Sequence, residues 1–192
     1  LESTDSQPSP AADARTLVRR MTFDLTGLPP TQDDVDRFID DCGSSQDGDE
    51  SVSTVRRHQP LPAPAVTRLI ERLLARPAYG ERWGRHWLDV ARYSDTKGYV
   101  YGREERRFVH AHTYRDWVIR AFNDDLPYDR FLLLQMAADQ LTSPNSPDLA
   151  AMGFITGGRR FIGVTHDIID DRIDVVTRGT LALTVQCARC HD

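Results

Sequence analysis

From Ala14 onward, apolar residues return every three or four positions, a spacing that gathers them on one face of an α-helix and that a strand, with its period of two, cannot use. Ala14, Leu17, Val18, Met21 and Leu25 make the first such face, and Leu25-Thr26-Gly27-Leu28-Pro29-Pro30 stops it. Thr31 with Asp34 resembles a capping box, opening a second helix with Val35, Phe38, Ile39 and Cys42 on one side. Val66, Leu69, Ile70, Leu73 and Leu74 predict a third, ended by Pro77, and Trp83, Trp87 and Val90 a fourth. Tyr114, Trp117, Val118, Ala121 and Phe122 follow. A helix started by Asp125 to Pro127 then turns Phe131, Leu134, Ala138 and Leu141 inward. A short helix over Leu149–Ile155 and a Gly157-Gly158 loop lead into a terminal helix. Alternating strands are absent from the pattern. The expectation is an all-α chain, an irregular multi-helix bundle of about seven helices. Residues 1–10 read as a disordered lead-in and 11–192 as one helical domain with a Ser-, Asp-, Gln- and Pro-rich variable loop at 43–63.

Charge narrows the classes of function. The net charge is −5, with acidic and basic residues interspersed, so no nucleic-acid-binding footprint appears. No apolar run approaches the roughly 20 residues of a membrane span. The chain opens on Leu1 and stops one residue after His191, which predicts a piece of a longer protein, cut at its C-terminal end.

Chemistry concentrates in Cys187-Ala188-Arg189-Cys190-His191. Cys-x-x-Cys-His is the attachment signature of c-type haem: two thiols add to the vinyl groups, and the next residue offers an imidazole to the iron. A shuffled chain with three cysteines and six histidines contains this pattern roughly once in a thousand arrangements. A zinc ribbon needs a second cysteine pair, and Cys42 is the only other thiol. A thioredoxin-like dithiol needs a βαβ context that the preceding sequence does not supply. A Cys187–Cys190 disulfide or redox dithiol and a metal-bound or inert pair remain the alternatives. The reading assigns covalent haem c and its iron to Cys187, Cys190 and His191, with His191 as proximal ligand.

Ile169, Ile173, Val176, Thr180, Leu183 and Cys187 are spaced four, three, four, three and four, which predicts one apolar stripe ending at the first thiol. Gly179 in that stripe suggests a close approach by a neighbouring helix or by porphyrin. For the second axial position the candidates are His86, His110, His112, His166, Met136 and Met152. His86 leads, because it lies beside the Trp83/Trp87/Val90 face and is expected near the core, whereas a core histidine bonded to Asp89 is the ordinary reading. Asp167, Asp170, Asp171 and Asp174 form a set of oxygen ligands of the kind Ca²⁺ accepts, or an acidic helix start paired with Arg172 and Arg178. Arg103, Arg106, Arg107, Arg159 and Arg160 suit haem propionates or solvent equally.

Several blocks are long enough to be specific. They are Arg15 through Pro30, Tyr79-Gly80-Glu81-Arg82-Trp83, His86 through Tyr93, Tyr114 through Val118, Asp170 through Gly179 and the terminal Cys187–Asp192. With them the chain resembles a planctomycete cytochrome-c-associated domain family of unknown function, from about residue 12 to the end except the 43–62 loop. The resemblance implies a larger exported protein, with a cytochrome-c-like domain before this one and a further domain after it. Periplasmic or other extracytoplasmic placement follows, with redox proteins and neighbouring domains as partners. The functional expectation is a c-type haem-bearing electron-transfer module. The alternatives are a non-haem cell-surface binding or structural domain with a Cys187–Cys190 disulfide and the accessory part of an extracellular oxidoreductase acting on a small molecule or a sugar, polysaccharide-derived sugars included.

Overall fold

The computed structural model describes residue 9 and residues 11–43, 61–96, 107–157 and 164–190. Most of the expected lead-in and most of the 43–63 loop lie outside the described residues. Eight α-helices are present among the described residues, and strand pairing there is limited to one isolated antiparallel bridge between Thr96 and Arg107. The all-α expectation holds. The helices fall into two compact units that divide between Tyr79 and Gly80.

The first unit contains α1 (Ala14–Thr26), α2 (Gln32–Gly43) and α3 (Ala63–Leu74). Asp13 caps α1 by accepting the Thr16 N–H at 2.9 Å, and Gly27 ends it in the left-handed conformation, φ 71°. The capping box at α2 is reciprocal. Thr31 Oγ1 accepts the Asp34 N–H at 3.2 Å, and Asp34 Oδ2 accepts the Thr31 N–H at 3.0 Å. Val18, Phe38, Cys42, Ala65, Leu69 and Leu73 form the core. Burial pushes the Cys42 thiol pKa up, aided by the nearby Asp41 charge, so this cysteine serves as a small apolar side chain. Arg76 grips Asp34 with both of its terminal nitrogens, and Asp41 takes Arg72 at 2.9 Å and Arg68 at 3.3 Å. Pro77 does not end α3, which already stops at Leu74. It opens α4 (Pro77–Val90), where its missing N–H leaves no intrahelical bond unmade.

The second unit takes in the rest of α4 with α5 (Ala111–Asn123), α6 (Tyr128–Leu141), α7 (Gly153–Thr156) and α8 (Thr165–Leu181). The expected Leu149–Ile155 helix is two pieces, a 3-10 segment Pro147–Met152 and then α7. Trp117 stacks on Phe131 with ring centres 5.3 Å apart, and Trp87 stacks on Phe154 at 5.5 Å. A polar knot runs through this core. The buried Gln135 Oε1 accepts both the Trp87 indole N–H and the Tyr114 hydroxyl at 2.7 Å, and its amide donates to the Phe131 carbonyl at 3.1 Å. Each polar atom that burial strips of water thus regains a partner. Ala137 leaves helical geometry at φ −150°, ψ 35° and kinks α6. The last turn therefore swings outward, and Leu141, expected to face in, is exposed.

Candidate functional site

The sequence extends the terminal helix to Cys187; the structure ends α8 at Leu181. Ala182 adopts φ 55°, ψ 27°, a left-handed conformation that disfavours any residue with a Cβ. The N–H groups of Ala182 and Leu183 turn back to the carbonyls of Arg178 and Thr177 at 3.2 and 3.3 Å. The chain reverses there. Its return is fixed by Arg189, whose Nη1 lies 2.9 Å from Asp167 Oδ1 and 2.6 Å from Asp170 Oδ2, in the first turns of the same helix. The hydrogen bond to Asp167 and the charge of Asp170 hold the Arg189 pKa above its ordinary value.

Gln186–Arg189 forms a 3-10 turn, closed by the Cys190 N–H on the Cys187 carbonyl at 3.1 Å. Cys187 lies within the turn and Cys190, three positions on, caps it. Both thiols are free and exposed. Two exposed thiols three positions apart are the pair that thioether attachment of a c-type haem would need. His191, the expected proximal ligand, lies outside the described residues.

The expected apolar stripe is turned around. Ile169, Ile173, Val176 and Thr180 do share a face, but Ile169 and Ile173 are 46% and 47% exposed, and α8 buries Asp174 and Val175 instead. Leu183 and Cys187 are past the break and exposed, so they continue no stripe. The inward face is selected by charge pairing and by fit. Arg178 holds both oxygens of the buried Asp174, at 2.8 and 2.7 Å, and Arg92 holds Asp171. At Gly179 a Cβ would come within 3.1 Å of Val90 Cγ1 and 3.2 Å of Phe154 Cζ, so the close approach expected there belongs to α4 and α7. The four α8 carboxylates are thus answered by guanidinium groups of Arg92, Arg178 and Arg189. Among the described residues no cluster of histidine, cysteine and acidic side chains fits a metal ion.

His86 is exposed on α4, its ring 5.5 Å from that of Trp83, and does not reach the core where the sequence expected it. Because α4 turns Gly80, Gly84 and Trp87 inward, the position one before Trp87 faces out. His110 occupies the N-cap position of α5 without a side-chain capping bond, and His112 and His166 are exposed. Met136 and Met152 are half-buried, Met152 against the aromatic core. Of the five arginines considered for propionates, Arg107 is exposed and the other four lie outside the described residues. A cleft of about 200 Å³ beside Arg92 and Asp174 falls below the roughly 300 Å³ at which small-molecule sites begin, and is too small for a porphyrin.

Sequence reasoning missed Arg92 and Arg189 as partners of the α8 carboxylates. The usable signal was an arginine inside the Cys-x-x-Cys run with four aspartates upstream; the reversal between them carries no glycine or proline to announce it. Residues 1–192 match the PSCyt2 family, described as a protein of unknown function (DUF1549). No curated protein and no solved structure matches the chain.

Proposed function

We propose, from the premise that this chain belongs to the PSCyt2 family, that it is a c-type haem-bearing module of a larger exported protein. The reading is carried by Cys187 and Cys190, two free, exposed thiols three positions apart at a 3-10 turn and followed directly by a histidine in the sequence. Cys187 and Cys190 would hold the group through thioethers, and His191 would serve as its proximal ligand. Bound there, haem supplies one-electron chemistry with a potential set by its ligands and by burial.

What the protein contributes is position. Arg189 ties the thiol-bearing turn to the start of α8, and the left-handed Ala182 sets the reversal that brings it there. No helix among the described residues is long and apolar enough to cross a membrane. Redox proteins and neighbouring domains are the partners this reading calls for, in a periplasmic or other extracytoplasmic setting where maturation can attach the group.

The experiment is expression of the full natural protein in a host with cytochrome-c maturation, followed by intact mass and absorption spectra. The expected result is a covalent haem adduct with sharp reduced bands, lost when Cys187→Ser and Cys190→Ser are combined. A colourless wild-type protein that lacks two hydrogens, as in a Cys187–Cys190 disulfide, or that carries zinc overturns the proposal.

A further inference from the structure

Thioethers fix where a porphyrin begins, not what covers its hydrocarbon face. A ring joined to Cys187 and Cys190 starts from a turn in which both thiols are exposed, so it needs apolar surface nearby to exclude water. The fold ties that turn to a single helix. Arg189 sits between the thiols in sequence and contacts Asp167, two residues before Ile169, and Asp170, about one helical turn before Ile173. Those two isoleucines are four residues apart and about half exposed, with the half-buried Val176 and Thr180 continuing the same face.

Other surfaces of this unit serve less well. The cleft beside Arg92 is small, and Asp89, Asp174 and Arg178 in its lining are charged. The opposite side of α8 is already filled by Val175, Asp174 and the packing of Gly179 against Val90 and Phe154. We infer that Ile169 and Ile173 form the hydrophobic seat on which a haem attached to Cys187 and Cys190 lies. This rests on the haem-bearing reading above and goes beyond it by assigning a wall to the cofactor. It also gives a reason for two large aliphatic side chains to face outward on a helix whose inward face carries carboxylates.

The test uses matured full-length protein in three forms: wild type, Ile169→Ser combined with Ile173→Ser, and Leu133→Ser as a control at an exposed leucine on α6. Intact mass reports covalent haem, far-ultraviolet circular dichroism reports the helices, and Soret circular dichroism reports how rigidly the ring is held. With covalent haem and helicity equal in all three, the isoleucine pair is expected to lower the Soret signal roughly twofold or more and to depress the midpoint potential as water reaches the ring, while the control does neither. An unchanged Soret signal and potential in the isoleucine variant overturns the seat and leaves the haem reading standing. Wild-type protein without covalent haem brings down the haem reading first, and the seat with it.

Discussion

α3 and α8 carry similar apolar spacing and bury opposite kinds of face. In α3, Ala65, Leu69 and Leu73 recur every four residues and are all buried, so the periodic stripe is the core stripe. In α8, Ile169 and Ile173 have the same four-residue spacing and stay in solvent, while Asp174 goes inside with a guanidinium on both oxygens. Periodicity therefore identifies a helix without saying which way it faces. Facing is decided by what surrounds each helix and by what it carries: hydrocarbon from α1 and α2 in one case; in the other, Arg92 from outside, with Arg178 and the bare Cα of Gly179 on α8 itself.

Breaking α3 should produce the largest effect. Leu69→Ala removes a fully packed side chain from a small core, and a loss of about 3 kcal/mol is expected in denaturant unfolding. A loss below about 1 kcal/mol would mean that α3 does not hold its unit together as described.

A smaller effect tests the ion pair that joins α2 to the segment after α3. Partial burial opposes ionisation of Asp34, but the Arg76 side chain and the Thr31 N–H and hydroxyl outweigh it and hold the carboxyl down at about 2. The Asp34 side chain is 12% exposed and that of Arg76 35%, so solvent screens part of the attraction. Because the folded pKa is depressed, the stability it brings is present above the ordinary value of 3.8 and is lost as pH falls through about 2. Arg76→Gln should therefore destabilise the protein by about 1 kcal/mol near pH 6, since the Thr31 hydrogen bonds remain, and by progressively less between pH 4 and pH 2, measured as unfolding free energy against pH. A pH-independent difference would place the effect in packing instead of charge.

The smallest effect sharpens the contrast directly. Ile173→Ala in protein without haem should change stability by no more than about 0.5 kcal/mol, although the same kind of truncation at Leu69 is severe. A loss near that of Leu69→Ala would show Ile173 to be a core residue after all.

Most helices were legible because their local chemistry agrees with their packing. Asp13 and the Thr31–Asp34 box mark starts, Gly27 marks a stop, and Leu69 and Leu73 repeat on one side. The candidate site was legible only as a string of residues. Its chain reversal rests on an alanine in a conformation that glycine usually supplies, and its anchor joins Arg189 to carboxylates 19 and 22 positions earlier, a pairing no local pattern announces. Gln135 was silent for a similar reason. A lone amide at a helical core position looks like an error until Trp87 and Tyr114, from two other helices, are found pointing at it.

Among its described residues, the segment after Ala182 has no fully buried side chain, and its ion pairs to the body run through one guanidinium between two carboxylates. A strip fastened that way can be peeled off and laid back while the helices behind it stay assembled.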